Sequence, residues 1–207
     1  MSKKVLVVTA TPLSPVASRS KAVTEAFLEA YQAKNPNDEI IRRDLFGMEM
    51  PYIDGDMLNG WGKYASGEAP TEKEADLVAA FAALTDEFLA ADRLIIQSPM
   101  WNLSIPAQLK GYLDALMVAG KTFAYTEAGP RGLVQGKKAI HIHGAGGTYS
   151  NTTGIEHSDA FVTGILKFIG LDVAPTIWVE GIDSNPDAKE AIMSAALVKA
   201  KEAAEQF

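Results

Sequence analysis

The stretch Leu94-Ile95-Ile96-Gln97-Ser98-Pro99-Met100-Trp101-Asn102-Leu103-Ser104-Ile105-Pro106 places a short apolar run directly before a stiff loop. An amphipathic segment, residues 108–117, follows the loop. The order of buried strand, loop and helix is typical of α/β proteins. In open α/β sheets, ligands bind in the crevice beyond the carboxyl ends of the strands. The indole, thioether and amide of this loop are therefore candidate ligand contacts.

Composition narrows the class of protein. The chain has 207 residues and a net charge of −7, which argues against nucleic acid as the main partner. It contains no cysteine, so disulfides, thiolate metal sites and a cysteine nucleophile are excluded. Neither a signal peptide nor a membrane-spanning stretch is visible. We expect one cytoplasmic domain over residues 1–207, with no membrane partner.

Strand and helix patterns alternate along the chain. Strands are predicted at residues 4–9, 39–44, 93–97, 138–143 and 176–179, and helices at residues 20–34, 71–91, 108–117, 159–169 and 186–206. This alternation predicts an α/β, flavodoxin-like three-layer sandwich. Its five-stranded parallel sheet has the order 2-1-3-4-5, with helices on both faces. Residues 46–70 and 122–136 exceed normal connector lengths, so we expect them to cover a site or a partner subunit.

The loop after the first strand, residues 10–20, carries hydroxyl groups and backbone amides to the start of a helix. A phosphate dianion is stabilised at such a place by unpaired N–H groups and the helix dipole. The candidate contacts are Thr11, Ser18, Arg19 and Ser20. The loop lacks the Walker signature, so nucleoside triphosphates are not favoured. The alternative interpretation is that Ser18 or Ser20 simply caps the helix.

Two further loops follow strands and must lie on the same edge of a parallel sheet. One contains Pro99, Met100, Trp101, Asn102 and Leu103, and the other contains Gly144, Ala145, Gly146 and Gly147. The first offers an apolar wall, and the glycines of the second allow close approach and offer N–H donors. Alternatively, the large side chains fill the core and the glycines form a turn. Taken together, the three loops predict a site for a phosphorylated planar heterocycle, which FMN fits.

Other polar clusters are less informative. His141 and His143 share one face of a strand, but no carboxylate lies nearby in sequence to complete a metal site. Glu156, His157 and Asp159 resemble parts of a catalytic triad, yet no serine lies in a Gly-x-Ser-x-Gly elbow. We therefore predict neither a metal site nor nucleophilic hydrolysis.

The middle of the chain resembles a known family. Its motifs are Pro99-Met100-Trp101-Asn102-Leu103, Pro106-x-Gln108-Leu109-Lys110-x-Tyr112-x-Asp114 and Gly120-x-Thr122-Phe123-x-Tyr125-Thr126-Glu127-x-Gly129-Pro130-x-Gly132-Leu133. These are similar to motifs of the bacterial FMN-dependent NADH azoreductases, also described as quinone reductases. The similarity extends over essentially the whole chain, including the Ser18-x-Ser20 pair.

The resemblance implies a role for each loop. Ser18, Arg19 and Ser20 would bind the FMN phosphate, with Thr11 nearby. Residues Pro99 to Leu103 would flank the isoalloxazine ring, and Gly144 to Gly147 would contact its pyrimidine side. The family forms homodimers with two active sites at the interface. The chain has Trp101, Leu103 and Gly144 where the family usually has Tyr, Phe and Ser, and these changes bear on substrate preference and flavin potential.

The expected function follows from the resemblance. NADH or NADPH would reduce FMN, and a quinone or azo compound would then be reduced at the same face, in a ping-pong cycle. The flavin carries this chemistry, so no catalytic side chain is predicted. Phe123 and Tyr125 are candidate substrate contacts. The alternatives are a flavodoxin-like electron carrier, a flavin-binding regulatory module, and a phosphate-ester-binding enzyme without flavin. The two long excursions favour a covered pocket and hence an enzyme.

Overall fold

The computed structural model describes residues 2–151 and 155–207 of the chain. Its strands are β1 (Lys4–Thr9), β2 (Glu39–Asp44), β3 (Arg93–Pro99), β4 (Phe123–Thr126), β5 (Gly129–Gly132), β6 (Lys138–Gly144), β7 (Asp172–Val173) and β8 (Ile177–Val179). Its helices are α1 (Arg19–Lys34), α2 (Gly55–Ser66), α3 (Glu72–Ala90), α4 (Ala107–Leu116), α5 (Ser158–Phe168) and α6 (Lys189–Gln206). Within the described residues, no helix is both long and apolar enough to cross a membrane.

The main sheet is parallel and has the order β2-β1-β3-β6-β7, with β8 also paired to β6. The fifth position is therefore split between two short strands. β7 pairs with the amino end of β6 and β8 with its carboxyl end. Pro175 lies between them, where proline cannot donate a ladder hydrogen bond. The predicted order 2-1-3-4-5 is confirmed, and the predicted strand 176–179 is the second half of this split strand.

Helices cover both faces of the sheet. Along β1, Val5 and Val7 face the core formed with α1 and α6, whereas Leu6 and Val8 face the core formed with α3, α4 and α5. Successive strand residues point to opposite faces, so a strand that is buried on both must be apolar throughout. This explains why the first predicted strand contains the continuous apolar run Val5-Leu6-Val7-Val8.

Helix ends agree in part with the predicted caps. Ser18 caps α1, and its side chain accepts a hydrogen bond from Lys21 N. Ser20 lies inside the helix, so the alternative that it is the cap is wrong. Thr71 and Glu74 form a capping box at the start of α3. The side chain of Asn185 makes no capping bond to the short 3₁₀ turn, Pro186–Ala188, that precedes α6.

The first long excursion contains a helix, α2, that the sequence pattern did not predict. Asp54 begins it by accepting a hydrogen bond from Met57 N at 2.9 Å, and Trp61 packs edge-on against Phe81 of α3. Gly60 lowers the helix propensity, but a Cβ there would lie 3.0 Å from a methyl carbon of Val78. Gly60, which weakens the helix signal in the sequence, therefore permits the close packing of α2 on α3.

The second excursion is a two-stranded antiparallel hairpin, β4–β5. Phe123 is buried and packs against Phe168, the last residue of α5, with ring centroids 5.2 Å apart. Asp172, four residues later, pairs with Lys138 at the amino end of β6. The hairpin thus lies at the edge of the sheet where the strands begin.

Candidate functional site

The three loops predicted to share one edge meet there around a cavity of about 340 Å³. The cavity is lined by Thr11, Leu13, Ala17, Ser18, Arg19, Ser20, Pro99, Met100, Trp101, Gly144, Ala145, Gly146, Val179 and Asp183. Ten of these residues are among the predicted contacts. The carboxyl ends of β1, β3, β6 and β8 all contribute, which is the crevice expected of a doubly wound sheet.

The first wall of the cavity is the start of α1. Lys21 N bonds the side chain of Ser18, and Ala22 N bonds its carbonyl. The amides of Arg19 and Ser20 precede any intrahelical partner, so they remain available to a ligand. Two adjacent N–H groups at a helix start form an anion site, which fits a phosphate.

A buried side chain, that of Gln97, orients a hydroxyl group in this wall. Gln97 of β3 is fully buried, and its Nε2 donates to Ser20 Oγ at 2.8 Å. Because Ser20 accepts that bond, its own hydroxyl proton is free to donate. A Cβ added to Gly144 would lie 3.0 Å from the same Ser20 oxygen. Only glycine therefore leaves the hydroxyl uncrowded on this side, and the arrangement fits an acceptor such as a phosphate oxygen.

An ion pair lies across the cavity. Arg19 Nη2 is 2.7 Å from Asp183 Oδ1, and both side chains are partly exposed. Asp183 also lies against the third loop, where a Cβ on Gly146 would come within 2.4 Å of Asp183 Oδ2. Gly146 thus makes room for the carboxylate, and the carboxylate holds the guanidinium of Arg19 beside the start of α1.

The second wall is a tight turn. Trp101 N donates to Ser104 O at 2.8 Å, and Ser104 N donates to Trp101 O at 3.1 Å. Between them Asn102 and Leu103 have φ values of 51° and 64°. Two successive positive φ angles are the mark of a type I′ turn, which favours Asn and then Gly. A leucine in the second position is strained, and its side chain stays 43% exposed.

The turn points an apolar surface outward. The side chain of Trp101 is 42% exposed, and its ring packs edge-on against Phe46, with centroids 5.7 Å apart. Trp101 therefore does not fill the core, and the alternative interpretation of this loop is wrong for that residue.

The third wall is tied to its neighbours through the backbone. Met100 N donates to Gly144 O at 2.6 Å, which links the second and third loops. Ala145 N donates to Val179 O at 3.0 Å, and Gly181 N donates to Gly147 O at 3.1 Å. The loop is thus held between β3 and β8, and its glycines are not those of a free surface turn.

Some predicted residues lie away from the cavity surface. Asn102, Leu103 and Gly147 belong to the same loops but do not line it. Phe123 and Tyr125 are in the hairpin at the opposite edge of the sheet, where Tyr125 is 77% exposed. Within one subunit the structure therefore does not bring this aromatic pair to the cavity, and their contact with a substrate stays a prediction.

The two strand histidines are fully buried behind the cavity. His141 Nδ1 lies 2.7 Å from Asp159 Oδ1, so a carboxylate is close in space although it is distant in sequence. Burial, followed by the charge of His141, lowers the pKa of His143 to about 3. In the described part of the chain, no group of three or more His, Cys, Asp or Glu side chains has the arrangement of a metal site.

Sequence reasoning missed Val179 and Asp183. Val179 is the last residue of the fifth strand and Asp183 follows it, on the same edge as the other three loops. The rule that selected the other loops would have selected this one too, because residues 180–183 begin where a strand ends. Leu13 and Ala17 were inside the first loop but carry no polar group that would have singled them out.

Comparisons with known proteins agree with this geometry. A family model described as a flavodoxin-like fold matches residues 3–204. The chain is 44% identical to FMN-dependent NADH:quinone oxidoreductase 2 of Listeria innocua, with 99% of each chain covered. It is likewise 44% identical to FMN-dependent NADH:quinone oxidoreductase 3 of Bacillus anthracis, with the same coverage. The chain belongs to this family of FMN-dependent NADH:quinone oxidoreductases.

Solved structures extend the relationship to azoreductases. An azoreductase from Bacillus anthracis superposes on the whole of the oxidoreductase with a TM-score of 0.91 and 38% identity, and all of both chains is covered. A second structure, an FMN-dependent NADH-azoreductase of the same species in complex with FMN, has a TM-score of 0.91 and 29% identity. It covers 99% of this chain and 98% of its own. The resemblance inferred from the motifs is confirmed.

Proposed function

We propose that this oxidoreductase binds FMN in the cavity at the carboxyl edge and uses NADH to reduce quinones and aromatic azo compounds. The observation that supports this most is the meeting of an anion site, an apolar turn and a glycine loop around one cavity. Each suits a different part of one molecule: a phosphate, a flat ring and the polar edge of that ring. The names of its relatives point to the same cofactor and reductant.

The residues that would hold the phosphate are those at the start of α1. The amides of Arg19 and Ser20, the hydroxyl of Ser20 and the guanidinium of Arg19 together offer several donors to a dianion. Hydrogen bonds to a charged acceptor are about twice as strong as neutral ones. Ser18 serves indirectly, because its side chain caps the helix and so fixes the direction of those amides.

Bound FMN would supply the redox chemistry, since it accepts a hydride from a reduced nicotinamide and gives it to an acceptor. The protein's part is to orient the ring and to stabilise charge at its edge. Backbone N–H groups near Asn102 and Gly146 would face the pyrimidine side, where negative charge develops on reduction. Trp101 and Leu103 would limit the access of water and shape an apolar slot for the acceptor.

The open side of the cavity suits a ping-pong order. NADH and the acceptor would occupy the same face in turn, so the chain needs no separate dinucleotide fold. NADPH is included in the proposal as an alternative reductant. A quinone is the more plausible natural acceptor, because aromatic azo compounds are mostly synthetic.

The proposal includes a homodimer and one FMN-binding domain over residues 1–207. Several large apolar side chains are exposed, among them Tyr52, Leu58, Leu103 and Tyr125. Exposed apolar surface of this kind is typical of protein interfaces. In a dimer, the partner's hairpin would offer the route by which Phe123 or Tyr125 reaches a substrate. A cytoplasmic location accords with the lack of cysteine, which suits a reducing compartment.

A visible spectrum tests the proposal. The purified protein is incubated with FMN, desalted, and mixed with NADH or NADPH without oxygen, after which menadione is added. Retained yellow colour that NADH bleaches and menadione restores supports an enzyme. Colour that neither nucleotide bleaches would instead indicate an electron carrier or a regulatory module. Loss of all colour on desalting would contradict FMN binding and favour a phosphate-ester enzyme.

A further inference from the structure

A fully buried amide lies behind the start of α1, in a row of otherwise apolar side chains. Gln97 of β3 has no exposed surface, and its neighbours in the sheet register are Thr9 of β1 and Ile142 of β6. Ile95, two positions earlier on the same face of β3, belongs to the core formed with α1 and α6. Gln97 thus ends an apolar row, next to Ser20 in the cavity wall.

The amide of Gln97 uses only part of its hydrogen-bonding capacity. Its Nε2 donates to Ser20 Oγ at 2.8 Å, whereas its Oε1 is buried and accepts no hydrogen bond from the described residues. A buried carbonyl oxygen without a donor destabilises the folded state, and such groups are rare in proteins. An apolar side chain would avoid this loss, so the stability of the fold gives no reason for a glutamine here.

The direction of the bond to Ser20 determines what the serine can offer a ligand. A serine hydroxyl has one hydrogen and can accept two more. Because Nε2 of Gln97 occupies an acceptor position of Ser20 Oγ, the hydroxyl hydrogen is left for another acceptor. Within residues 2–151 and 155–207, no group accepts that hydrogen. Ser20 lines the cavity, so the hydrogen is available to a ligand there.

The side chain of Ser20 is also confined by the third loop. A Cβ added to Gly144 would lie 3.0 Å from Ser20 Oγ and 3.1 Å from Ser20 Cβ. On the helix itself, the carbonyl of Ser20 accepts the hydroxyl of Thr24 at 2.9 Å, which fixes the backbone. The hydroxyl of Ser20 is thus packed between the amide of Gln97 and the backbone of Gly144, and its remaining side borders the cavity.

We propose that Gln97 is a positioning residue that makes Ser20 a hydrogen-bond donor and thereby favours a phosphorylated flavin over the same flavin without phosphate. This role rests on FMN binding in the cavity, although Gln97 itself does not line it. The oxygens of a phosphate dianion are acceptors, so a wall that holds the phosphate needs donors. The unpaired Oε1 then follows from turning Nε2 towards Ser20.

The reverse orientation of the amide would have the opposite effect. If Oε1 of Gln97 accepted the hydroxyl hydrogen of Ser20, the serine would present only lone pairs to the cavity and would repel a phosphate. The two orientations therefore differ in what loss of the amide does. FMN binding should weaken if Nε2 faces Ser20, and it should tighten if Oε1 does.

Gln97→Met tests this role, because methionine is of similar length and has no hydrogen-bond donor. Dissociation constants for FMN and for riboflavin, which is FMN without its phosphate, are measured by flavin fluorescence. We expect the FMN constant to rise about three- to tenfold, as for one lost neutral hydrogen bond, and the riboflavin constant to stay unchanged. The urea midpoint of the protein without flavin should stay the same or rise, because the unpaired carbonyl is gone.

Thr85→Val is the matched control. It also removes a buried side-chain hydrogen bond, from Thr85 Oγ1 to Ala115 O at 2.7 Å, in the core on the other face of the sheet. It should lower the urea midpoint and leave both flavin constants unchanged. In Gln97→Met, unchanged or tighter FMN binding would overturn the positioning role. Equal losses for FMN and riboflavin would overturn it too, since Gln97 would then only support the fold.

A double variant tests whether Gln97 acts through Ser20. If it does, adding Gln97→Met to Ser20→Ala should not raise the FMN constant further, whereas independent effects would add. Additive losses would overturn the role. The unchanged protein reports on the proposed function separately. If it retains no FMN after desalting, the proposed function fails and this inference fails with it. If it retains FMN and Gln97→Met binds FMN equally well, only the inference fails.

Discussion

The two sides of the cavity are built by opposite means. At the start of α1 the backbone is regular, Ser18 caps the helix, and Ser20 is held by a hydrogen bond from Gln97. Across the cavity, Asn102 and Leu103 take positive φ angles and leave apolar side chains exposed. The start of α1 presents fixed polar donors in an unstrained geometry. The turn, in contrast, holds a strained backbone conformation that leaves apolar side chains exposed.

This difference suggests a division of labour. Fixed donors at a helix start recognise a charged group that never changes during the reaction. A strained turn persists only when the surrounding structure determines it, and such turns are concentrated at functional sites. We therefore expect the α1 side to control cofactor affinity and the turn to control the choice of acceptor. The three predictions below test that separation.

The largest effect is expected for Ser20→Ala. It removes the hydroxyl that we propose donates to the phosphate, which should cost about 1.5–3 kcal/mol of binding and so weaken FMN affinity roughly ten- to a hundredfold. It also leaves the buried amide of Gln97 without its partner, so the free energy of unfolding should fall by about 1–3 kcal/mol. Fluorescence titration with FMN and urea denaturation measure the two quantities.

Thr24→Val is the matched control for this change. Thr24 is buried on the same helix, and its hydroxyl bonds the carbonyl of Ser20 at 2.9 Å, away from the cavity. FMN affinity should hardly change in this variant. Equal losses of affinity in both variants would show that the hydroxyl of Ser20 acts only through helix stability.

A medium effect is expected at the turn. Leu103→Gly should raise the free energy of unfolding by about 1 kcal/mol, because glycine adopts a positive φ without strain. It should also raise the KM for menadione several-fold through loss of the apolar side chain, with the FMN dissociation constant little changed. Leu103→Ala removes the same side chain but keeps the strain. A similar stability for both variants would refute the strained turn.

The smallest effect is expected for Asp183→Asn. Removing a carboxylate beside the proposed phosphate site should tighten FMN binding about two- to threefold and strengthen its dependence on salt, because Arg19 then attracts the dianion without a competing negative charge. The pair with Arg19 is partly exposed, so the free energy of unfolding should change by less than about 0.5 kcal/mol. Titrations at two salt concentrations measure this; weaker binding would show that Asp183 mainly orients Arg19.

The sequence predicted the sheet well because its strands carry a strong, local signal. The apolar runs of β1, β3 and β6 are buried on both faces, and each is followed by an unusual loop. The helix α2 escaped prediction because Gly60 lowers helix propensity, while its packing on α3 depends on contacts distant in sequence. Local pattern therefore sufficed where burial was complete and failed where tertiary packing overruled propensity.

The residues around the cavity divide in the same way, into those that a local pattern predicted and those that depend on tertiary packing. Thr11, Ser20 and Gly146 were predicted because every loop after a parallel strand meets the others at one edge. The pairing of His141 with Asp159 could not be predicted, since Asp159 reaches His141 only through the way α5 packs on β6. The place of Phe123 was also beyond the sequence, because a hairpin gives no signal of the sheet edge on which it lies.

The split fifth strand has a consequence for the behaviour of the protein in solution. An edge strand presents unpaired backbone groups that can recruit a strand from another molecule and begin aggregation. Here the edge consists of β7 and β8, which are two and three residues long, with Pro175 in the gap between them. Neither piece is long enough to template an added strand, and the proline removes a donor where they would join. The interruption thus protects this edge of the parallel sheet from pairing with a strand of another molecule.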